Sequence, residues 1–127
     1  MKQIEAIIRT SKFEVVKQAL HKIDIDFFSY WDAIGVGNEI HKADRIYRGA
    51  ILDTTNIPRS LLTIVVRDRN LRKTVDCILN AANTGEVGDG RIFVTNVEES
   101  WKIRNKTNGE DTLKGDHEKD LVSMATN

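Results

Sequence analysis

The sequence predicts an α+β fold in which strands and helices follow one another as β-α-β-β-α-β, the ferredoxin-like arrangement. Two segments carry apolar residues at three- and four-residue steps, which is typical of amphipathic helices. Four other segments are rich in β-branched or aromatic residues, which is typical of strands. A length of 127 residues suits one domain with a single hydrophobic core.

The first half of the chain supplies two strands and one helix. Residues 2–9 alternate between polar and apolar and then turn apolar, which predicts a largely buried strand. Residues 12–24 form the first predicted helix, and residues 25–36, with their aromatic side chains, predict the second strand. The apolar face of this helix consists of Phe13, Val16, Leu20 and Ile23.

The second half repeats the pattern after the single proline of the chain. Residues 61–66 are apolar and β-branched and predict a central strand, with Pro58 just before it, where a missing N–H is tolerated. Residues 68–83 predict the second helix, and residues 91–98 predict the last strand. The apolar face of the second helix consists of Leu71, Val75, Ile78, Leu79 and Ala82.

Two connecting segments lack a core pattern. Residues 37–56 have no sustained period, and a loop of this length in a small domain favours either a partner-binding role or plain mobility. Residues 101–106 alternate, which predicts an extended segment with Lys102, Arg104 and Lys106 on one face. These cations indicate either a solvated sheet edge or a set of phosphate ligands.

Composition argues against several classes of function. Lys plus Arg and Asp plus Glu number 19 each, so the formal net charge is zero, unlike a general nucleic-acid or membrane-surface binder. No apolar run comes near the roughly 18 residues that a membrane-spanning helix needs. The single cysteine, Cys77, cannot form an internal disulfide and suits the cytoplasm, where we expect the protein. Residues 114–127 are polar and predict a flexible tail.

The sequence lacks the signatures of common enzyme classes. Its three histidines, His21, His41 and His117, are scattered, and no Cys/His pairing has the spacing of a zinc site. The chain contains neither a Gly-x-Ser-x-Gly nucleophile elbow nor a Walker A motif. Nothing in the sequence therefore requires an enzyme.

A glycine-rich loop, residues 84–90, lies between the second predicted helix and the last predicted strand. Its three glycines allow positive φ angles and a close approach of a ligand to the backbone. Successive N–H groups in such a turn form an anion-binding concavity, and Arg91 directly after it suits phosphate or carboxylate. The pattern predicts a phosphate site, and a plain helix-to-strand turn is the alternative interpretation.

Five motifs stand in order along the chain. They are Met1-Lys2-x-Ile4-x-Ala6-Ile7-Ile8, Gly35-x-Gly37, Tyr47-Arg48-Gly49-Ala50, Thr84-Gly85-x-x-Gly88-Asp89-Gly90-Arg91-Ile92-Phe93-Val94, and Lys102-Ile103-Arg104 followed by Gly109-Glu110-Asp111. Together they resemble the PII family of trimeric signal-transduction proteins. The match is collinear over about residues 1–113, and the glycine-loop motif is long enough to be specific.

The resemblance implies one PII-like domain at residues 1–113, assembled into a homotrimer with ATP or ADP in the clefts between subunits. Its functional loops would be a T-loop at about 37–56, a B-loop at about 84–91 and a C-loop at about 101–111. The neighbouring subunit would contribute Lys102 and Arg104. The implied nucleotide-binding residues are Ile7, Phe28, Ser29, Gly35, Val36, Gly37, Thr63, Val65, Gly88, Asp89, Gly90, Arg91, Lys102 and Arg104.

The resemblance also implies that the T-loop binds a target protein, a transporter or a metabolic enzyme, with Tyr47, Arg48 and Leu52 as candidate contacts. Leu52 stands where nitrogen-regulating members carry a modifiable tyrosine, so we expect no uridylylation there. Glu39 replaces a family glutamine, and its carboxylate suits Mg²⁺ but would repel the dicarboxylate 2-oxoglutarate. Arg59 matches a family lysine near that ligand and keeps its charge.

We therefore expect a regulatory adaptor that senses ATP and ADP, with no nucleic-acid partner and no direct insertion into a membrane. The alternative is an enzyme that hydrolyses ATP slowly at the same site, with Asp89 or Glu39 assisting a metal-bound water. A ferredoxin-like RNA-binding protein is disfavoured by the zero net charge and by the lack of an aromatic RNP-type strand.

Overall fold

The structure is a computed structural model that describes residues 1–36, 46–47, 50–51 and 56–114. Its strands are β1 (Lys2–Arg9), β2 (Ser29–Val36), β3 (Ile46–Tyr47), β4 (Ala50–Ile51), β5 (Asn56–Val66) and β6 (Gly90–Asn96). Its helices are α1 (Phe13–Lys22) and α2 (Asp68–Ala82). Short 3-10 helices span Thr10–Lys12 and Glu110–Leu113.

Four of the strands form one antiparallel sheet in the order β2-β5-β1-β6. Each helix connects two of these strands, α1 between β1 and β2 and α2 between β5 and β6. The two short strands β3 and β4 pair with each other. This topology confirms the predicted ferredoxin-like α+β fold.

The core lies between the sheet and the two helices. In β1 and in residues 60–66 of β5 every second side chain is buried, and the register joins Ile4 to Ile64 and Ala6 to Leu62. Burying one such aliphatic side chain stabilises the fold by roughly 1.5–3 kcal/mol. The apolar core consists of Ile4, Ala6, Ile8, Phe13, Val16, Leu20, Leu62, Ile64, Val66, Ile78 and Ala82.

Helix α1 and strand β2 differ from their predicted bounds at the connection between them. The helix ends at Lys22, because the N–H groups of Ile23 and Ile25 both turn back to Leu20 O, at 3.1 and 2.9 Å. This closure requires a positive φ at Asp24, which has a φ of 65°. Strand β2 then begins at Ser29, so the predicted start at residue 25 is wrong.

Strand β5 is longer than the predicted segment 61–66, and Pro58 lies inside it, opposite Ile34 of β2. The prediction that Pro58 precedes the strand is therefore wrong. The pairing with β1 ends at Arg59, so among the described strands β5 has a neighbour on one side only at residues 56–58. Such a one-sided position is where a strand tolerates proline.

The predicted extended segment at 101–106 is also wrong. An isolated bridge joins Trp101 to Asn108, and Lys106 N donates to Lys102 O at 2.8 Å, so the chain turns between them. Asn105 Oδ1 accepts hydrogen bonds from Thr107 N at 3.2 Å and from the Thr107 hydroxyl at 2.7 Å. Local side-chain hydrogen bonds of this kind compete with extended structure, and here they override the alternating pattern. Strand β6 likewise ends at Asn96, short of the predicted residue 98.

Two predicted regions fall largely outside the described residues. These are most of the loop at 37–56 and the tail beyond Lys114. Neither helix in the described ranges has the length and hydropathy needed to cross a bilayer. The domain boundary near residue 113 stays a prediction.

Candidate functional site

The outer face of the sheet, opposite the helices, carries several of the predicted nucleotide-binding residues. Its side chains alternate with the core positions. The register aligns Trp31, Leu61, Ile7 and Arg91 in one row across all four strands. Ile7 and Arg91, both in the residue set that the family resemblance implies, are therefore direct cross-strand neighbours.

A parallel row on the same face contains two more predicted residues, Ser29 and Thr63, which pair across β2 and β5. Val65 follows on the same face of β5. Phe28 differs from them, because it packs against the core cluster instead. The sheet thus brings together Ile7, Ser29, Thr63 and Val65 and separates them from Phe28.

The glycine loop that precedes β6 is organised by the carboxylate of Asp89. Its Oδ2 accepts hydrogen bonds from the backbone N–H groups of Thr84, at 2.8 Å, and Gly85, at 2.9 Å. Its Oδ1 accepts from Arg9 Nε at 3.0 Å and from the hydroxyl of Thr84. Each carboxylate oxygen thus takes two donors, which uses its lone pairs in full.

This environment holds the pKa of Asp89 well below its usual range. The largest cause is the hydrogen bond from the Thr84 side chain, and the backbone N–H groups and Arg9 add to it. Asp89 was predicted as a nucleotide ligand and, in the alternative hypothesis, as an aid to a metal-bound water. With both oxygens occupied, the carboxylate has an internal role. The backbone N–H of Asp89 has no hydrogen-bond partner among the described residues.

Two arginines on neighbouring strands hold the carbonyl groups of the loop. Arg9 Nη2 donates to Val87 O at 2.8 Å, and Arg59 Nη1 donates to Gly88 O. In a trans peptide the C=O and the following N–H point in opposite directions. Because the carbonyls of Val87 and Gly88 face the arginines, the N–H groups of Gly88 and Asp89 face away from them.

Three successive N–H groups of the loop make no hydrogen bond within the described residues, those of Val87, Gly88 and Asp89. The preceding N–H groups differ, since those of Thr84 and Gly85 bind Asp89 and that of Glu86 binds Thr84 Oγ1 at 3.2 Å. Consecutive outward N–H groups form an anion-binding nest. Three guanidinium groups, those of Arg9, Arg59 and Arg91, stand against the two carboxylates of Glu86 and Asp89, so the loop and these arginines together carry a net positive charge.

Gly90 anchors the end of the loop against β1. It has a φ of +103°, and a Cβ at this position would lie 1.7 Å from Ile7 O. No other residue can therefore occupy the position without moving the backbone. This close approach fixes the loop next to Ile7 and Arg91.

The predicted T-loop residues are described only in part. Gly35 and Val36 end β2, and the Gly35 backbone lies against the Arg59 side chain. Tyr47 contributes its backbone to the β3–β4 pair. Among the described residues, no group of three or more His, Cys, Asp or Glu side chains could hold a metal ion. Gly37, Glu39, Arg48 and Leu52 lie outside the described residues.

The predicted C-loop residues lie on the turn after β6. Lys102 Nζ donates to Lys114 O at 3.2 Å, and the hydroxyls of Ser100 and Thr112 pair at 2.5 Å. These contacts close the loop on itself. Ile103, between the two predicted phosphate ligands Lys102 and Arg104, is 94% exposed.

The sequence did not point to Arg9 or Thr84, and it suggested Arg59 as a residue near 2-oxoglutarate rather than as a donor to the glycine loop. Arg9 and Asp89 are separated by 80 positions along the chain, so their contact follows from the register of β1 and β6. Arg9 ends β1 and Asp89 directly precedes β6, so only the pairing register of the two strands reveals that these residues lie side by side. The spacing of Thr84 and Asp89 around two glycines was a local signal for a side-chain-capped turn.

The model of the family "Nitrogen regulatory protein P-II" matches residues 1–107 of the chain. The chain belongs to the P-II family. A Nitrogen regulatory protein P-II from Bradyrhizobium diazoefficiens is 38% identical over 113 residues, which cover 89% of this chain and all of that protein. The P-II protein of Rhizobium meliloti has the same identity and coverage. Nitrogen regulatory protein P-II 1 of Methanothermobacter thermautotrophicus is 39% identical over 113 residues, 89% of this chain and 97% of that protein.

The comparisons confirm the family that the five sequence motifs indicated. The P-II relatives are named as regulatory proteins, and the family match over residues 1–107 includes four of the motifs and the first part of the fifth. The chain is therefore a member of a family of signal-transduction regulators. Its glycine loop is held by Asp89 and by two arginines, Arg9 and Arg59.

Proposed function

We propose that this P-II protein senses ATP and ADP at the nest formed by the N–H groups of Val87, Gly88 and Asp89. The phosphates would accept hydrogen bonds from this nest and from Arg91. The single observation that carries the proposal is that these three successive N–H groups have no partner within the described residues, whereas the three before them do.

The sheet supports a place for the nucleoside part next to the nest. Ile7 is the cross-strand neighbour of Arg91, and Ser29, Thr63 and Val65 lie on the same face. A base that stacked on this face would remove half-buried apolar surface from water. Gly35 and Val36, which end β2, would approach the nucleotide from that side.

The assembly that we propose is a homotrimer in which Lys102 and Arg104 reach the phosphates from the neighbouring subunit. Large apolar side chains support association, because Trp31 and Phe93 on the outer face are 48% exposed each and Ile103 is 94% exposed. Exposed apolar surface of this extent marks a face that another protein covers. Light scattering during size-exclusion chromatography would give the mass of three chains.

The output that we propose is the binding of a target protein through the T-loop, with Tyr47, Arg48 and Leu52 as contacts. The target would be a transporter or a metabolic enzyme, and the protein would act in the cytoplasm. Glu39 would be a ligand of the nucleotide's Mg²⁺, and its carboxylate would weaken any response to 2-oxoglutarate. A pull-down of the target should fail for Tyr47→Ala and Leu52→Ala while ATP affinity stays unchanged.

The direct test is calorimetric titration of the purified protein with ATP and with ADP, each with and without Mg²⁺ and 2-oxoglutarate. We expect saturable binding of both nucleotides and no effect of 2-oxoglutarate. Arg91→Ala should weaken ATP binding about tenfold or more, because a charge-assisted hydrogen bond is worth about 1.5–3 kcal/mol. Arg72→Ala, on the exposed surface of α2, is the matched control and should bind as the wild type does. Absence of nucleotide binding by the wild-type protein would reject the proposal.

Slow ATP hydrolysis is the weaker alternative. Asp89 gives it no support, because its carboxylate oxygens already accept four hydrogen bonds. A hydrolytic role would then rest on Glu39. Phosphate release by the wild type that is lost in Glu39→Gln would favour the enzyme.

A further inference from the structure

Arg59 links the end of β2 to the glycine loop. Its guanidinium donates from Nη1 to Gly88 O, and the residue is only 7% exposed. The stem of the same side chain lies against the Gly35 backbone, since a Cβ on Gly35 would be 2.9 Å from Arg59 Nε and 3.0 Å from Arg59 Cγ. We call these two contacts the Arg59 bridge.

The bridge has a well-defined geometry for electrostatic reasons. A guanidinium stays charged under all ordinary conditions, so a buried one requires hydrogen-bond acceptors. Arg9 is the cross-strand neighbour of Arg59, and its like charge is offset by Asp89. Any shift of Arg59 away from Gly88 O would leave a buried cation with one acceptor fewer beside a second cation.

We propose that Arg59 is a positioning residue that couples the base of the T-loop, at Gly35, to the anion-binding nest. Its hydrogen bond to Gly88 O sets the orientation of the peptide whose N–H belongs to Asp89. A displacement of the β2 end at Gly35 moves the Arg59 stem and thereby turns this peptide. In the reverse direction, an anion on the Asp89 N–H fixes the peptide, the guanidinium and the packing at Gly35. The inference rests on the proposed nucleotide site and adds the route between its two loops.

Two substitutions interrupt the bridge at different ends. Arg59→Met keeps an apolar stem and removes the donor to Gly88 O. Gly35→Ala keeps Arg59 but adds a methyl group that pushes its stem away. Gly35 is absent from the residues with positive φ, so alanine fits its backbone. Arg72→Met, on the exposed surface of α2, is the control.

The first experiment measures amide chemical shifts of the nucleotide-free protein by NMR. We expect Gly35→Ala and Arg59→Met to move the Gly88 and Asp89 amide resonances in the same direction, and Arg72→Met to leave them unchanged. Unchanged Gly88 and Asp89 resonances in Gly35→Ala would overturn the bridge. This outcome does not depend on nucleotide binding, so it is distinguishable from failure of the proposed function.

The second experiment is a double-mutant cycle on the dissociation constant for ATP. Each single substitution should weaken binding about tenfold, and the double variant should bind no more weakly than the weaker single variant, because both remove the same coupling. If the fold-change in the double variant equalled the product of the two single fold-changes, the substitutions would act independently and the proposal would be overturned. Wild-type ATP affinity in Gly35→Ala would overturn it as well. If the wild-type protein did not bind ATP, the proposed function would be rejected. The chemical-shift experiment would still decide whether the Arg59 bridge exists.

Discussion

Arg9 Nε lies 3.0 Å from Asp89 Oδ1, and this ion pair joins the last residue of β1 to the residue just before β6. Both side chains are mostly shielded, with exposed fractions of 24% and 22%. Arg9 also holds Val87 O, so one guanidinium fixes the loop at two points. The order of the proposed anion site therefore depends on a strand that is distant from it in sequence.

Asp89→Asn should destabilise the loop although it is nearly isosteric. An amide can accept hydrogen bonds on one atom only, so donors that now bind the second oxygen lose their partner. We expect a loss of about 1–3 kcal/mol in the free energy of unfolding, measured by urea denaturation. Asp76→Asn on the exposed face of α2 should change the free energy of unfolding by less than about 0.5 kcal/mol. Equal stability of the two variants would contradict the role given to Asp89.

The contribution of Asp89 should depend on pH in a defined direction. Its pKa is lowered in the folded protein, chiefly by the Thr84 hydroxyl, from an ordinary value of 3.8. The stabilisation is therefore fully present above that ordinary value and is lost as pH falls through the lowered pKa of the folded state. The difference in unfolding free energy between wild type and Asp89→Asn should be constant at neutral pH and shrink in acid. A difference that grew on acidification would refute this assignment.

Gly90→Ala and Gly85→Ala form a matched pair, because both glycines have positive φ angles, +103° and +84°. Alanine at Gly85 meets no atom within 4 Å and bears only the conformational strain, about 1–2 kcal/mol. Alanine at Gly90 would also collide with Ile7 O and break the β1–β6 pairing. We expect Gly90→Ala to lose more than about 4 kcal/mol by urea denaturation. Similar losses at both positions would mean that the close approach to Ile7 does not exist.

His21, in the last turn of α1, and Asp26, after the helix, are both exposed and provide a second prediction about pH. Their hydrogen-bonded pair raises the pKa of His21 above 6.5, with a smaller contribution from Asp24. A raised pKa means that the pair stabilises the fold below the unfolded-state pKa and that this is lost as pH rises through the folded-state pKa. NMR titration should show a lower His21 pKa in Asp26→Asn and a smaller decrease in Asp24→Asn. The reverse order would contradict the pairing.

The strands and helices with a regular pattern were predictable from the sequence. In β1 and α2 the apolar positions repeat with the period of the strand or helix, so the sequence pattern alone predicts which face is buried. The glycine loop was predictable too, since Gly90 requires a conformation that only glycine adopts easily. The family followed from motifs that contain these same positions.

The contacts that organise the site could not be predicted in this way. The pairing of Arg9 with Asp89 and of Arg59 with Gly88 depends on strand register, which the sequence pattern leaves undetermined. The alternation of Lys102, Arg104 and Lys106 predicted an extended segment, yet hydrogen bonds of Asn105 and Thr107 close a turn there. Short segments carry too few residues for periodicity to outweigh local hydrogen bonds.

The most direct test of the central claim is hydrogen exchange of individual loop amides with and without saturating ATP. We expect the Val87, Gly88 and Asp89 amides to exchange more slowly when ATP is bound, because phosphate oxygens supply the acceptors that they lack. The Thr84 and Gly85 amides, already bonded to Asp89, should change little. Bound ATP with no protection at residues 87–89 would contradict the claim and place the phosphates elsewhere.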